Sequence, residues 1–533
     1  MKKAYLYILI PILLIIIIII ATTLKQGEQT TITKKLSQVE VKDLEAAKPS
    51  SIVELKNGDS LDLTATIVKK NINGVEVKML AYNGQIPGPL IKTEKGSEVT
   101  INFTNNTDME STIHSHGVRL DNKFDGVPDI TQEPVKVGDA YVYKIKFPDE
   151  GMYWYHPHIR EDYQQELGLY GNYLVSSDDQ DYWNPVNQEI PLFLDDIQME
   201  SGQIAAFNNE KVDHAFMGRF GNVMLVNGET NYSVNAKQGD VIRFYLTNSA
   251  NTRTFHFAIP GIKLKLVGGD NGRFEKEELV DAVIVSPSER YIIEASFDKS
   301  GNFEIQNKTP EKAYKLGVIS VSNETTAQSY SSEFSDLRVN NELQNEIAQL
   351  TSNLSSISQK SLTISIDPMG MGSGMLNNNN SNMMGGGHMM GNGMMMQNND
   401  QQKIEWEDDM GMMNKNATAD SIKWKLIDQA NGKENMDINW TFKKGELVRI
   451  KLFNDPNSPH PMQHPVHIHG QRFLVLNTNG VENTNKVWKD TTLVQTGDTV
   501  EILVEMSNPG DWLIHCHIPE HMEAGMMSKF EVI

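Results

Sequence analysis

The chain has one cysteine, Cys516, among 533 residues, so no disulfide can form within it. It also has no block of basic residues. The 48 lysines and arginines are outnumbered by 69 aspartates and glutamates spread along the chain, a net charge of −21. That balance argues against nucleic acid as a partner and favours an acidic surface that does not repel cations. Charge is absent altogether from Ala4 to Leu24, where Ile and Leu dominate. A run of this length can cross a bilayer as a helix, with Lys2 and Lys3 keeping its start in the cytoplasm. Ala21, Thr22 and Thr23 offer no small-x-small cleavage site, so residues 1–24 are expected to be a retained anchor, with a cleaved signal segment as the alternative. On either reading the rest of the chain is extracytoplasmic. An unpaired thiol in an oxidising compartment needs protection, and metal coordination would give it.

What is present is repetition. GSEVTINFTNN (Gly96 to Asn106), GDVIRFYLTNS (Gly239 to Ser249) and GELVRIKLFND (Gly445 to Asp455) each run from a glycine turn through alternating apolar residues to an Asn-rich turn. Alternation of this kind predicts half-buried strands. GDAYVYKIKFPDEGMYWYHPH, from Gly138, and GDTVEILVEMSNPGDWLIHCH, from Gly497, share a second pattern: a strand, a turn glycine (Gly151, Gly510), then a histidine pair. The middle copy, from Pro287, keeps the strand and Gly301 but lacks the histidines. Repeats roughly 140 to 200 residues apart are whole duplicated domains rather than solenoid units. Short strands with Gly, Pro and Asn turns predict all-β, Greek-key barrels or sandwiches.

Ten of the 14 histidines fall in HSHG (His114, His116), WYHPH (His156, His158), HPVHIHG (His464, His467, His469) and HCHIPEH (His515, His517, His521). On a strand, residues i and i+2 share a face, so each H-x-H pair offers two imidazoles together. Cys516 then faces away from His515 and His517, and the segment joins two metal sites. A thiolate with two imidazoles and a weak thioether is the blue-copper electron-transfer set, here Cys516, His464 and His521 with Met526 as the axial candidate. A structural zinc site would leave the other histidines unexplained.

These four motifs, in order and spacing, resemble the copper signatures of the multicopper oxidases, and the likeness covers the chain from about residue 48. It is strongest to three-domain bacterial and archaeal copper-tolerance and laccase-type members. The resemblance implies three cupredoxin-like Greek-key β-barrel domains and four copper ions. His464, Cys516, His521 and Met526 would hold the type 1 copper, His114 and His467 the type 2 copper, and His116, His156, His158, His469, His515 and His517 the type 3 pair. The implied domains are 48–182, 183–325 (without copper) and 361–533, with a polar spacer at 25–47, a linker at 326–360 and a Met-rich insertion at 367–414. The trinuclear cluster is expected between the first and third domains. Pro157 stands where Cys516 stands in the other copy, and His256 is at most a relic. Asp125 matches the family's acid near the type 2 copper, whereas Met522 occupies a position where some bacterial members have a glutamate, with Glu523 one position later.

The implied reaction is oxidation of a small reductant at the type 1 copper, with electrons carried through Cys516 to His515 and His517 and O2 reduced to water. Residues 369–413 hold 13 of the chain's 26 methionines, among Gly and Asn. Thioethers select Cu(I), and this stretch, with a single Leu (Leu376) and no Val, lacks the partners with which to build a core. Met462 matches a substrate-side methionine of cuprous oxidases, whereas His460 stands where those enzymes have an acid. Glu407, Asp408 and Asp409 are candidate carboxylates. The expectation is a cuprous oxidase in copper detoxification, attached to the membrane by its N-terminal segment. The alternatives are laccase-like oxidation of phenols or amines, oxidation of Fe(II) or Mn(II), and a non-catalytic copper-binding protein. Asn102, Asn231, Asn323 and Asn439 lie in glycosylation sequons.

Overall fold

The computed structural model describes residues 39–208, 210–367 and 403–533. The charge-free run at Ala4–Leu24 and most of the Met-rich insertion lie outside these. Among the described residues no helix is long and apolar enough to cross a membrane.

The three glycine-led segments form the strands Glu98–Asn106, Asp240–Asn248 and Glu446–Asn454. Each makes the same two pairings. Glu98–Asn106 runs parallel to Ser60–Ile72 and antiparallel to Ala140–Lys146. Asp240–Asn248 lies between Gln188–Ile197 and Arg290–Phe297, and Glu446–Asn454 between Ser358–Asp367 and Thr499–Met506, with the same senses. A second sheet faces each of these. The second sheets contain Gly151–His156, Gly301–Lys308 and Gly510–Cys516, the strands expected to follow the turn glycines. Those glycines have φ of 149°, 144° and 139°, a region L side chains rarely enter. The result is three cupredoxin-like sheet pairs, with separate apolar cores made of alternate strand residues.

Two stretches expected to be connecting chain are ordered against these cores. Leu44 and Ala47, at the end of the expected spacer, pack on the first unit, and Ala46 bridges to Lys69. The expected linker contains the helix Asn341–Thr351, where Asn340 accepts the Leu343 amide at 3.1 Å as N-cap. Its Leu343 and Ile347 pack on Leu474 and Trp488 of the third unit. A polar stretch with apolar residues at i and i+4 therefore buries one face and stays wet on the other.

Candidate metal centre

Strand register assembles the histidines. His114–His116 pairs antiparallel with Gly151–His156, setting His114 opposite His156. In the third unit His464–Ile468 pairs with Gly510–Cys516, setting His467 opposite His515 and Val466 opposite Cys516. The alternation predicted for HCH holds in three dimensions. Cys516 points into the third unit's own core, while His515 and His517 face the first unit's histidines.

On the Cys516 side, His464 Nδ1 lies 3.6 Å and His521 Nδ1 3.8 Å from the sulfur, and the two Nδ1 atoms are 3.3 Å apart. Met526 is fully buried in the same apolar cluster, and its carbonyl accepts the Cys516 amide at 3.1 Å. The Ile518 amide points at the sulfur from 3.4 Å. Burial pushes the Cys516 thiol up and holds His464 down at about 3, so two neutral imidazoles face a thiol with no proton acceptor other than themselves. A soft cation with a vacant orbital for each donor fits this set, and it takes the thiol as thiolate.

On the other side, His158, His469 and His515 converge, and so do His114, His467 and His469. The His116, His156 and His517 rings lie 4.9 to 5.8 Å apart. Nε2 of His114, His156, His158 and His467 and both ring nitrogens of His517 are buried without a protein partner. Meanwhile the opposite nitrogen of several rings is tied to backbone. His114 Nδ1 donates to the Asp125 carbonyl at 2.7 Å, His467 Nδ1 to the Asp490 carbonyl at 2.8 Å, and His515 Nδ1 to the Cys516 carbonyl at 2.9 Å. Such bonds fix the tautomer that leaves Nε2 a lone pair for metal. Burial, then mutual repulsion, keeps the His116, His156, His158, His467 and His515 rings neutral. His517 is lowered to about 3, chiefly by burial, and His469 to about 4. Eight imidazoles in one dry space, six of them with an unsatisfied nitrogen and the other two, His469 and His515, with Nε2 facing Nε2 at 2.9 Å, suit several copper ions and no apolar filling.

Asp125 is fully buried beside them. Burial alone would raise its carboxyl, but the facing His469 and His114 hold it well below the usual carboxylate range. His469 Nδ1 donates to its Oδ2 at 2.8 Å. Gly126 follows because a Cβ there would sit 2.0 Å from the Ile113 carbonyl oxygen.

Models of the multicopper oxidase family match residues 64–180, 181–330 and 405–533 of this chain, three matches in the family's order. The chain belongs to the multicopper oxidase family. Among its relatives is a multicopper oxidase (mco) of Staphylococcus aureus, 24% identical over 461 residues, which are 85% of this chain and 83% of the relative. A copper resistance protein A homolog of Pseudomonas syringae pv. tomato is 25% identical over 581 residues, covering 89% of this chain and 92% of its own. A multicopper oxidase of Campylobacter jejuni, described as a metallo-oxidase, has the same fold, with a TM-score of 0.66 at 22% identity over 92% of this chain and 98% of that one. The protein is thus a copper-dependent oxidoreductase that passes electrons from a reductant to O2, and members of its family hold four copper ions.

Around the Cys516 side the oxidase is closed. His464 and His521 are fully buried, and Trp424 lies over both, its ring centroid 4.7 Å from His464 and 4.3 Å from His521. The indole is held there by donating to the Ala215 carbonyl at 2.8 Å. Met462 is fully buried in the cluster that holds Cys516, and His460 stacks on Phe216 at 4.1 Å, lowered to about 4 by burial. The helix Gly411–Asn416 closes the same region, with Met410 and Met413 packed on that cluster. Asn414 pins the helix through the Met217 amide at 2.9 Å and the Gly218 carbonyl at 2.8 Å. Gln463, next to His464, exchanges two hydrogen bonds with the Glu405 backbone. The nearby carboxylates are largely occupied. Glu407 binds Arg253 and Tyr314, and Asp408 accepts the Met410 amide and the Asn414 side chain.

Several residues near the histidines had no signal in the sequence. Glu161 is fully buried, with both oxygens unpartnered and one 3.4 Å from His158 Nδ1. Burial, then Glu523, Asp162 and Glu520, pushes its carboxyl well up. Asp490 Oδ1 lies beside both His116 and His467, 3.6 and 3.7 Å from their Nδ1 atoms. Trp424 reads in sequence only as an apolar strand residue. His256 donates from Nδ1 to the Lys308 carbonyl at 2.7 Å in the second unit and takes no part in the histidine cluster.

Proposed function

We propose that this multicopper oxidase oxidises Cu(I) and so protects an extracytoplasmic space from copper. The observation that carries the reading is a closed Cys516 site within a core that contains one methionine near His464 in sequence and has two more packed on it. Met410, Met413 and Met462 sit on the cluster around Cys516, and both imidazoles beside the thiol are inaccessible. Thioethers are soft donors that select Cu(I), whereas a phenol has no use for such ligands. Copper in these sites would supply one-electron acceptance beside Cys516 and four-electron reduction of O2 beside the eight histidines.

The chain's own residues then divide as follows. His464, Cys516, His521 and Met526 hold the type 1 ion, with Trp424 excluding water from it. His114 and His467 hold the type 2 ion, and His116, His156, His158, His469, His515 and His517 the type 3 pair. Cys516 connects the two sites through its covalent neighbours. Asp125 fixes the His469 ring and keeps a negative charge where protons must arrive. Met462 and His460 line the substrate side. The division into domains at 48–182, 183–325 and 361–533 belongs to the same proposal, as does attachment to the outer face of the membrane by residues 1–24.

The test is O2 uptake by copper-loaded protein with Cu(I), Fe(II) and a phenol side by side. Cu(I) is expected to give the highest kcat/KM, and faster phenol turnover would favour a laccase-type activity instead.

A further inference from the structure

We propose that Arg290, in the unit that carries none of the clustered histidines, is a positioning residue for the trinuclear histidines and acts through Asp490. This rests on the four-copper assignment above but not on the identity of the reductant.

Arg290 is fully buried where the three units meet. Its Nε donates to the Met152 carbonyl of the first unit at 2.9 Å, and Nη1 donates to the Asp490 carboxylate of the third at 2.7 Å. Nη2 takes the other Asp490 oxygen, completing a two-pronged ion pair with fixed direction. Asp490 in turn touches two expected copper ligands. Its carbonyl accepts His467 Nδ1–H at 2.8 Å, and its Oδ1 lies 3.6 Å from His116 Nδ1, a nitrogen with no hydrogen-bond partner. The His116 and His467 rings stack at 3.6 Å and 19°, so neither can turn without the other.

Three further contacts hold the arrangement. The Arg290 amide donates to Asp270 at 2.8 Å, and Lys489 lies 3.3 Å from that same carboxyl and 3.1 Å from Glu289, so both buried cations are held by carboxylates. Ser288 Oγ donates to Thr491 Oγ1 at 3.0 Å, tying the second unit to the residue after Asp490. Gly117, the glycine of HSHG, would with a Cβ place it 2.2 Å from Asp490 Oδ2 and 2.9 Å from Arg290 Nη2. The first unit's copper motif is thus shaped to admit the second unit's arginine. Removing the guanidinium leaves Asp490 buried and uncompensated, free to rotate toward His116 or to draw in water. The middle unit, without copper motifs, would therefore still set the geometry of the copper site.

The experiment uses full-length, copper-loaded Arg290→Met, Arg290→Lys and Asp490→Asn beside the parent. The readouts are type 2 copper paramagnetic resonance, copper affinity of the trinuclear site, and the blue thiolate-to-copper absorption. Expected for Arg290→Met is an altered type 2 signal and affinity reduced about 10- to 100-fold, with the blue absorption unchanged. Arg290→Lys keeps the charge without the fork and should fall between. Asp490→Asn keeps the carbonyl for His467 but weakens the pair, and should alter the type 2 signal in the same sense. An Arg290→Met protein with the parent's type 2 signal and affinity overturns the proposal. Parallel loss of the blue absorption and of folded circular dichroism also overturns it, since Arg290 would then be structural only. A parent without any type 2 signal would overturn the four-copper assignment and this role with it, whereas poor Cu(I) turnover by a normal parent would touch neither.

Discussion

At the residue scale, each copper-side donor is prepared by a neighbour rather than by its own chemistry. Cys516 is a poor thiolate in its dry core, with the Ile518 amide the one backbone donor on its sulfur, so copper must displace its proton. Cys516→Ser should therefore abolish the blue absorption and bring reductant-driven O2 uptake to background. The type 2 resonance should persist, because none of its expected ligands is touched; loss of both signals would contradict the separation of the two sites. Asp125 makes a second case. Its carboxylate is the acceptor that orients His469, so Asp125→Ala should cost about 10- to 100-fold in O2 uptake while anaerobic reduction of the type 1 copper keeps its rate. Equal slowing of both steps would place Asp125 outside the O2 site. Asp125 was legible before the fold only through the family resemblance, since an acid before a glycine would otherwise read as a turn. Asp490 and Glu161 were not: Asp490 reaches His116 across a junction between units, and Glu161, though only three residues after His158, lies in a polar stretch with no pattern to mark it as buried.

At the element scale, strand alternation carried most of the information. HCH, HSH and the turn glycines specified which side chains share a face, and the observed registers put them there. The expected spacer and linker were harder to read. The helical pattern of LQNEIAQLTSNL was legible, but whether Leu343 and Ile347, or the isolated Leu44, bury depends on surfaces made by distant chain. The short helix Gly411–Asn416 is a similar case. Met410 and Met413 read as part of a polar, core-less insertion, but Asn414 anchors the helix so that both pack on the core that contains Cys516, while Met412 stays exposed. Met410→Leu with Met413→Leu should leave the melting temperature within a few degrees, since the swap preserves volume. If the helix delivers Cu(I), kcat/KM for Cu(I) should fall about tenfold or more, as expected when soft ligands are lost, while phenol oxidation is unchanged. Unchanged Cu(I) kinetics would leave the helix a passive cover.

At the scale of the whole molecule, buried titratable groups of two kinds pull stability in opposite directions with pH. The clustered histidines are held neutral when folded, His464 and His517 at about 3 and His469 at about 4. Their depressed values mean that the unfolded copper-free chain takes up protons first, so their contribution is present above the ordinary histidine value of about 6.5 and lost as pH falls below it. Buried carboxyls do the reverse. Glu166 is pushed up to about 8 by burial, against the pull of Arg219, and Glu523 to about 7 by burial and then Asp162. Raised values mean that the folded chain keeps protons the unfolded chain has released, so stability declines as pH rises toward about 8. Above pH 6.5 the histidines are neutral in both states and only the acids still contribute, at about 1.4 kcal/mol per pH unit for each proton retained. The copper-free protein should therefore melt highest near pH 6.5 and lower on both sides. Glu166→Gln removes one acid whose retained proton spans the range from about pH 4.5 to about 8, so between pH 6.5 and 8 its melting temperature should fall less steeply than the parent's, while between pH 6.5 and 4.5, where this acid opposes the histidines, it should fall more steeply. Identical slopes above pH 6.5 in parent and variant would show that Glu166 is already ionised in the fold, and that the Arg219 contact outweighs burial.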